Sequence, residues 1–138
     1  MEIRRMTEED RTFVMEIDRH ATQTGYQNRV YTGTGYVLWE KGERIGILHY
    51  CLLWDTLPFL NLLFIKEAYR NKGFGSAAMR QWEDEMKAQG YRMTLVSTQA
   101  DEWAQFLYRR LGYVDCGGLI FQGTPMDQPM ELFLRKVL

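Results

Sequence analysis

Apolar residues recur at every fourth position from Phe74 through Ala78 and Trp82 to Met86. That spacing predicts an amphipathic helix over 74–89, with Gly90 as its C-terminal cap. Ahead of it, Phe59 to Ile65 is apolar on nearly every position, as expected of a strand covered on both faces. Glu2 to Met6 predicts a first strand. Thr7 follows as an N-cap, with Glu8, Glu9 and Asp10 in a first turn where carboxylates suit the helix dipole. Phe13, Val14 and Ile17 give that helix its buried stripe. From His20 to Gly35 the pattern loosens and predicts a short irregular helix between loops. Tyr36 to Glu40 and Arg44 to Leu53 read as strands around a Lys41-Gly42-Glu43 hairpin turn. Met93 to Ser97 is another strand, and a helix carries Ala104, Leu107, Tyr108 and Leu111 to Gly112. Tyr113 to Phe121 and Met130 to Lys136 form a last hairpin. The order βααβββαβαββ predicts a mixed α/β fold with a largely antiparallel sheet.

Composition narrows the classes. The 138 residues suit one domain, 1–138, and 46% hydrophobic residues supply a core. A formal net charge of −1 with no block of Lys and Arg argues against a general nucleic-acid binder. No apolar run approaches the roughly 18 residues of a membrane span, and Met1 to Arg5 opens into strand-like sequence rather than a signal peptide. Cys51 and Cys116 are expected to be reduced, packed thiols of a cytoplasmic protein. No His, Cys and Asp group has metal-ligand spacing. Ser76 and Ser97 lack the G-x-S-x-G elbow of a serine hydrolase.

The chemistry concentrates where the apolar strand meets the long helix: Arg70, Asn71, Lys72, Gly73, Phe74, Gly75 and Ser76. Strand, glycine turn and helix in that order put free backbone N–H groups at a helix N-terminus. Those donors and the positive end of the dipole bind anions. Gly73 and Gly75 carry no Cβ, so a phosphate can approach the backbone, and Arg70 and Lys72 add charge at the mouth. The segment predicts a pyrophosphate cradle. Two glycines at a helix start are otherwise ordinary turn chemistry. The Walker pattern and the G-x-G-x-x-G dinucleotide fingerprint are both absent.

A second cluster, Ala104-Gln-Phe-Leu-Tyr108-Arg-Arg-Leu-Gly112-Tyr113, decides the matter. Its spacing A-x3-Y-x3-G-Y resembles one signature of the GNAT superfamily of N-acetyltransferases. Arg70 to Gly75 resembles the other, (Q/R)-x-x-G-x-(G/A), in the family's order. The resemblance is strongest from Phe59 to Tyr113. It implies a largely antiparallel sheet of about seven strands with helices on both faces, and acetyl-CoA as cosubstrate without a metal. In such a fold two central parallel strands splay, and the pantetheine arm lies between them as an added strand. Backbone groups of Leu63, Phe64 and Ile65 would then pair with the arm, a physically ordinary strand addition.

The resemblance also gives Tyr108 a role. Acyl transfer from a thioester expels a thiolate, and a phenol of pKa about 10 remains protonated at neutral pH and can supply the proton. Asp101 stands where the family often has asparagine. A carboxylate can only accept, so Asp101 takes a pantetheine N–H or serves as a helix cap. No carboxylate occupies Phe59 to Leu63, where some relatives carry a glutamate base. His49 and Asp55, then His20 and Glu131, are the remaining candidates, beside a water chain to bulk solvent.

Acceptor choice is expected from 20–35 and from the loop after Leu53, with Tyr26, Tyr31, Trp54 and Phe121 as candidate walls. No carboxylate cluster marks a polyamine site, so a small molecule or a peptide remains open as the source of the amine. No cysteine lies in either motif, which favours direct attack in a ternary complex over an acyl-enzyme. A monomer or a homodimer is compatible with the sequence. The alternative is a regulatory module that binds acyl-CoA without catalysis, against which the intact Tyr108 speaks.

Overall fold

A computed structural model describes all 138 residues. Seven strands form a sheet in the order β1-β2-β3-β4-β5-β7-β6, with four α-helices between them. The strands are β1 (Glu2–Arg5), β2 (Gly35–Glu40), β3 (Glu43–Leu53), β4 (Leu57–Ile65), β5 (Met93–Gln99), β6 (Val114–Leu119) and β7 (Glu131–Val137). The helices are α1 (Arg11–Ile17), α2 (Gln23–Thr32), α3 (Phe74–Ala88) and α4 (Ala104–Arg110). The predicted order βααβββαβαββ is the observed one. No helix is long and apolar enough to cross a membrane. The chain packs as two compact units, 1–51 with 62–82, and 52–61 with 83–138.

In the first unit, β1 pairs antiparallel with β2, and β2 with β3. Thr7 begins the first helical turn with a reciprocal capping box: Glu9 N–H donates to its hydroxyl, and Thr7 N–H donates to Asp10. That turn is a short 3-10 segment that leads into α1. Val14 from α1 and Tyr26 from α2 close on Met6, Val37 and Ile47, with Leu62 and Phe64 of β4 against the same cluster. The Phe64 backbone of β4 runs close beside β3 at Gly46, where a Cβ would stand 2.3 Å from the Phe64 carbonyl oxygen.

The short irregular helix expected within 20–35 is a regular helix of 10 residues, α2. Thr22 accepts from Gly25 N–H at its start, and Gly33 at φ 68° ends it in the left-handed conformation. Capping defines α2 rather than a broad apolar face: Tyr26 alone among its residues is fully buried. A helix so polar leaves no periodic stripe in the sequence.

In the second unit, β4 runs parallel to β5 with Phe59 opposite Leu95 and Leu60 opposite Val96. Strand β7 pairs antiparallel with β5 along its length and with β6 on its other side. The register of β6 slips between Asp115 and Gly117. Glu83 is buried and satisfied there by the Tyr113 hydroxyl at 3.3 Å and Lys136 Nζ at 2.5 Å.

Candidate active site

The glycine turn forms in the first unit. After β4 a short 3-10 turn, Glu67–Tyr69, leads into Arg70. Asn71 at φ 59° and Gly73 at φ 83° reverse the chain into α3. Gly73 needs that freedom for its backbone, since a Cβ there would meet nothing within 4 Å. The first helical bond runs from Ala77 N–H to Gly73 O at 3.1 Å. The N–H groups of Phe74, Gly75 and Ser76 are therefore the opening donors of a 15-residue helix. Gly73, Asn71 and Lys72 are exposed, and Lys72 extends over the Tyr69 ring.

Arg70 does more than add charge. Its Nε donates to the Ile65 carbonyl at 2.8 Å, and its guanidinium lies over the Phe64 ring. Lys66 N–H donates to the Ile45 carbonyl at 2.8 Å, which holds the end of β4 against β3. Leu63, Phe64 and Ile65 are half-buried. The first unit thus brings together Leu63 to Ile65 and Arg70 to Ser76.

A cleft of about 530 Å³ opens in the same unit between the end of α1 and β4. Ile17, Leu62 and Phe64 give it apolar walls, while Asp18, His20, Lys66 and Arg70 also line it. Asp18 is buried, and its carboxylate oxygens take His20 N–H at 3.0 Å and Arg29 Nη1 at 3.3 Å. Sequence reasoning missed Asp18. A single acid after a helix carries no motif, and only packing against β4 makes it part of a cleft.

Tyr108 and Asp101 lie in the second unit. Tyr108 is buried on α4, with its ring 5.9 Å from that of Tyr113. Burial, with Glu102 and Glu131 nearby, pushes its phenol up to about 12, so it remains a neutral donor. Asp101 does not cap α4. It is exposed in the preceding turn, and Trp103 holds the N-cap position without a side-chain bond. Gln105 instead ties that turn, its Nε2 donating to the Ala100 carbonyl at 2.8 Å.

The base candidates separate. His49 is buried 3.8 Å from Asp18, and burial followed by the Arg29 charge lowers it to about 4, with Asp18 opposing. It is a neutral imidazole of little basicity. Asp55 occupies the β3–β4 turn at φ 60°. Glu131 accepts from Gln128 at 2.8 Å. His20 is exposed and lines the cleft.

The first unit carries a strand, a glycine turn and the start of a long helix, and the second carries a buried tyrosine on α4. The family model described as acetyltransferase (GNAT) family matches residues 2–113, and the chain belongs to that family. It is an acetyltransferase. The fold is similar to ribosomal-protein-alanine N-acetyltransferase from Brucella melitensis, with TM-score 0.81 and 20% identity over 100% of both chains. It is likewise similar to an N-acetyltransferase from Staphylococcus aureus, with TM-score 0.80 and 18% identity over 99% of this chain and 97% of that one. A GNAT family acetyltransferase from Elizabethkingia anophelis with acetyl-CoA bound gives TM-score 0.78 and 14% identity over 99% and 97%. A search of curated proteins gives no match.

Proposed function

We propose that this chain, as a single N-acetyltransferase domain over 1–138, moves the acetyl group of acetyl-CoA to a primary amine of a small molecule or peptide. The amine attacks directly in a ternary complex. The observation that carries the proposal is the row of N–H donors from Phe74 to Ser76, opened by Gly73 at φ 83° and flanked by Arg70 and Lys72. Donors and positive dipole at a helix start match a pyrophosphate in charge and geometry.

The thioester supplies an activated acyl group, and the chain's residues do the rest. Phe74, Gly75 and Ser76 bind the diphosphate. Main-chain groups of Leu63, Phe64 and Ile65 orient the pantetheine arm as an added strand. The cleft beside Leu62 and Phe64 admits the acceptor. Tyr108, neutral because its phenol stands near 12, donates to the sulfur as the C–S bond breaks. Asp101, exposed ahead of α4, accepts a pantetheine N–H. The relatives' acceptors include a ribosomal-protein alanine in the Brucella melitensis enzyme, which supports including peptides.

The test is release of free CoA thiol from acetyl-CoA by the purified protein against a panel of amines and peptides. Thiol release that depends on an amine is expected. Acetyl-CoA binding without transfer to any amine would point to the non-catalytic module.

A further inference from the structure

Family membership leaves open what takes the acceptor's proton. At neutral pH an amine of pKa about 10 is almost wholly ammonium, and only the free amine can attack. Strand β4 offers no carboxylate between Phe59 and Leu63. A carboxylate reaches the same cleft from another element.

Asp18 leaves α1 in an extended conformation, φ −100° and ψ 100°, while its N–H still bonds to the Val14 carbonyl at 2.9 Å. That turn aims its side chain inward, and 6% of the residue remains exposed. The cleft it lines is walled by Ile17, Leu62 and Phe64. Its two oxygens carry one backbone donor, His20 N–H, and one cation, Arg29. An ionised carboxylate has about four acceptor positions, so capacity remains. The other charges around it are His49 from β3, held neutral, and Lys66, Glu67 and Arg70 across the cleft, with Glu16 and Arg19 at the rim. Lys66 is engaged over the Phe13 ring and Arg70 with the Ile65 carbonyl, so neither is paired with Asp18.

We infer that Asp18 receives the acceptor's ammonium group in this cleft and takes its proton. One N–H bond of the ammonium breaks, its electron pair stays on nitrogen, and the proton moves to a carboxylate oxygen. It then leaves through the cleft beside exposed His20, one proton to solvent per amide formed, while the second proton that nitrogen sheds as the amide forms balances the one taken up by the departing CoA thiolate. The inference rests on the proposed acetyl transfer and gives this same site its acceptor class: amines that bind as cations.

The deciding measurement is kcat/KM for the amine from pH 6 to 9, by thiol release, for wild type, Asp18→Asn and Asp18→Glu. Acetyl-CoA-induced melting shifts are taken beside it. Wild type should hold a plateau below the amine's own pKa, because ammonium is the form bound. Asp18→Asn should lose roughly 10²–10⁴-fold at neutral pH and then climb tenfold per pH unit, since only free amine now reacts. Asp18→Glu should recover part of the rate, and all three should keep the acetyl-CoA shift. An Asn variant with the wild-type rate and profile overturns the role of Asp18. If that variant does not fold, the wild-type profile decides alone: a tenfold climb per pH unit up to the amine's pKa overturns it, and a plateau supports it. An absent acetyl-CoA shift in wild type would instead overturn acetyl transfer itself, and Asp18's role with it.

Discussion

Arg70 Nε donates to the carbonyl of Ile65, 2.8 Å away, tying the start of the glycine turn to the last residue of β4. The guanidinium therefore shapes the turn as well as charging it. A lysine cannot substitute, because its ammonium is a compact charge at the chain end and cannot lie flat over the Phe64 ring while an inner nitrogen bonds the carbonyl. Both Arg70→Lys and Arg70→Ala are expected to weaken acetyl-CoA by about 1 kcal/mol, or roughly fivefold, for an exposed charge-assisted bond. Titration of acetyl-CoA against the three proteins checks this. Full affinity in Arg70→Lys would reduce Arg70 to a point charge.

Tyr108→Phe removes one hydroxyl from a buried ring, so the fold and acetyl-CoA affinity should survive. Turnover should fall by about 10²–10⁴-fold if the phenol is the acid. Because burial raises the phenol to about 12, wild-type turnover should show no loss from its ionisation through pH 10. Single-turnover rates of both proteins read the effect on chemistry. Equal rates would make Tyr108 a packing residue.

His49 has the opposite sign of shift from a partnered histidine. Its folded pKa, about 4, lies below the ordinary 6.5, with burial the largest cause and Arg29 the next. The neutral ring's contribution is fully present above pH 6.5 and is lost as pH falls through 4. The span amounts to about 3 kcal/mol at most. Melting temperature should fall between pH 6.5 and 4 in wild type and fall less in His49→Gln. Parallel curves would show that the acid loss comes from other groups.

The β3–β4 turn carries two non-glycine residues in the left-handed region, Trp54 at φ 52° and Asp55 at φ 60°. Thr56 N–H closes it on the Leu53 carbonyl at 3.0 Å. Such two-residue turns favour Asn-Gly, and a bulky indole there is strained. Trp54→Asn with Asp55→Gly should stabilise the fold by about 1 kcal/mol, read as a higher melting temperature. A lower one would mean that exposed Trp54 makes contacts worth more than the strain.

What the sequence made legible follows from how strongly each segment is patterned. The fourfold repeat from Phe74 to Met86 and the nearly continuous apolar run into Ile65 announced α3 and β4 with their glycine turn. The A-x3-Y-x3-G-Y spacing announced α4. Helix α2 was legible only as a short helix without bounds, because Tyr26 is its one buried residue and its caps are Thr22 and Gly33, residues equally at home in loops. Asp18 stayed hidden because its meaning comes from β4, which passes it only in three dimensions. Of the two roles open to Asp101, the helix cap fails because Trp103 stands at the helix start, which an acid two residues earlier in the sequence does not reveal.

The central claim is that acetyl-CoA binds through the N–H donors of the glycine turn, and a melting curve tests it most directly. A ligand that binds only the folded state stabilises by about 2.7 kcal/mol at a hundredfold excess over its dissociation constant. Millimolar acetyl-CoA should raise the melting temperature of wild type and raise that of Gly75→Glu much less, since the new carboxylate brings bulk and negative charge to the place of the diphosphate. An unshifted wild-type curve, or an equal shift in Gly75→Glu, would contradict it.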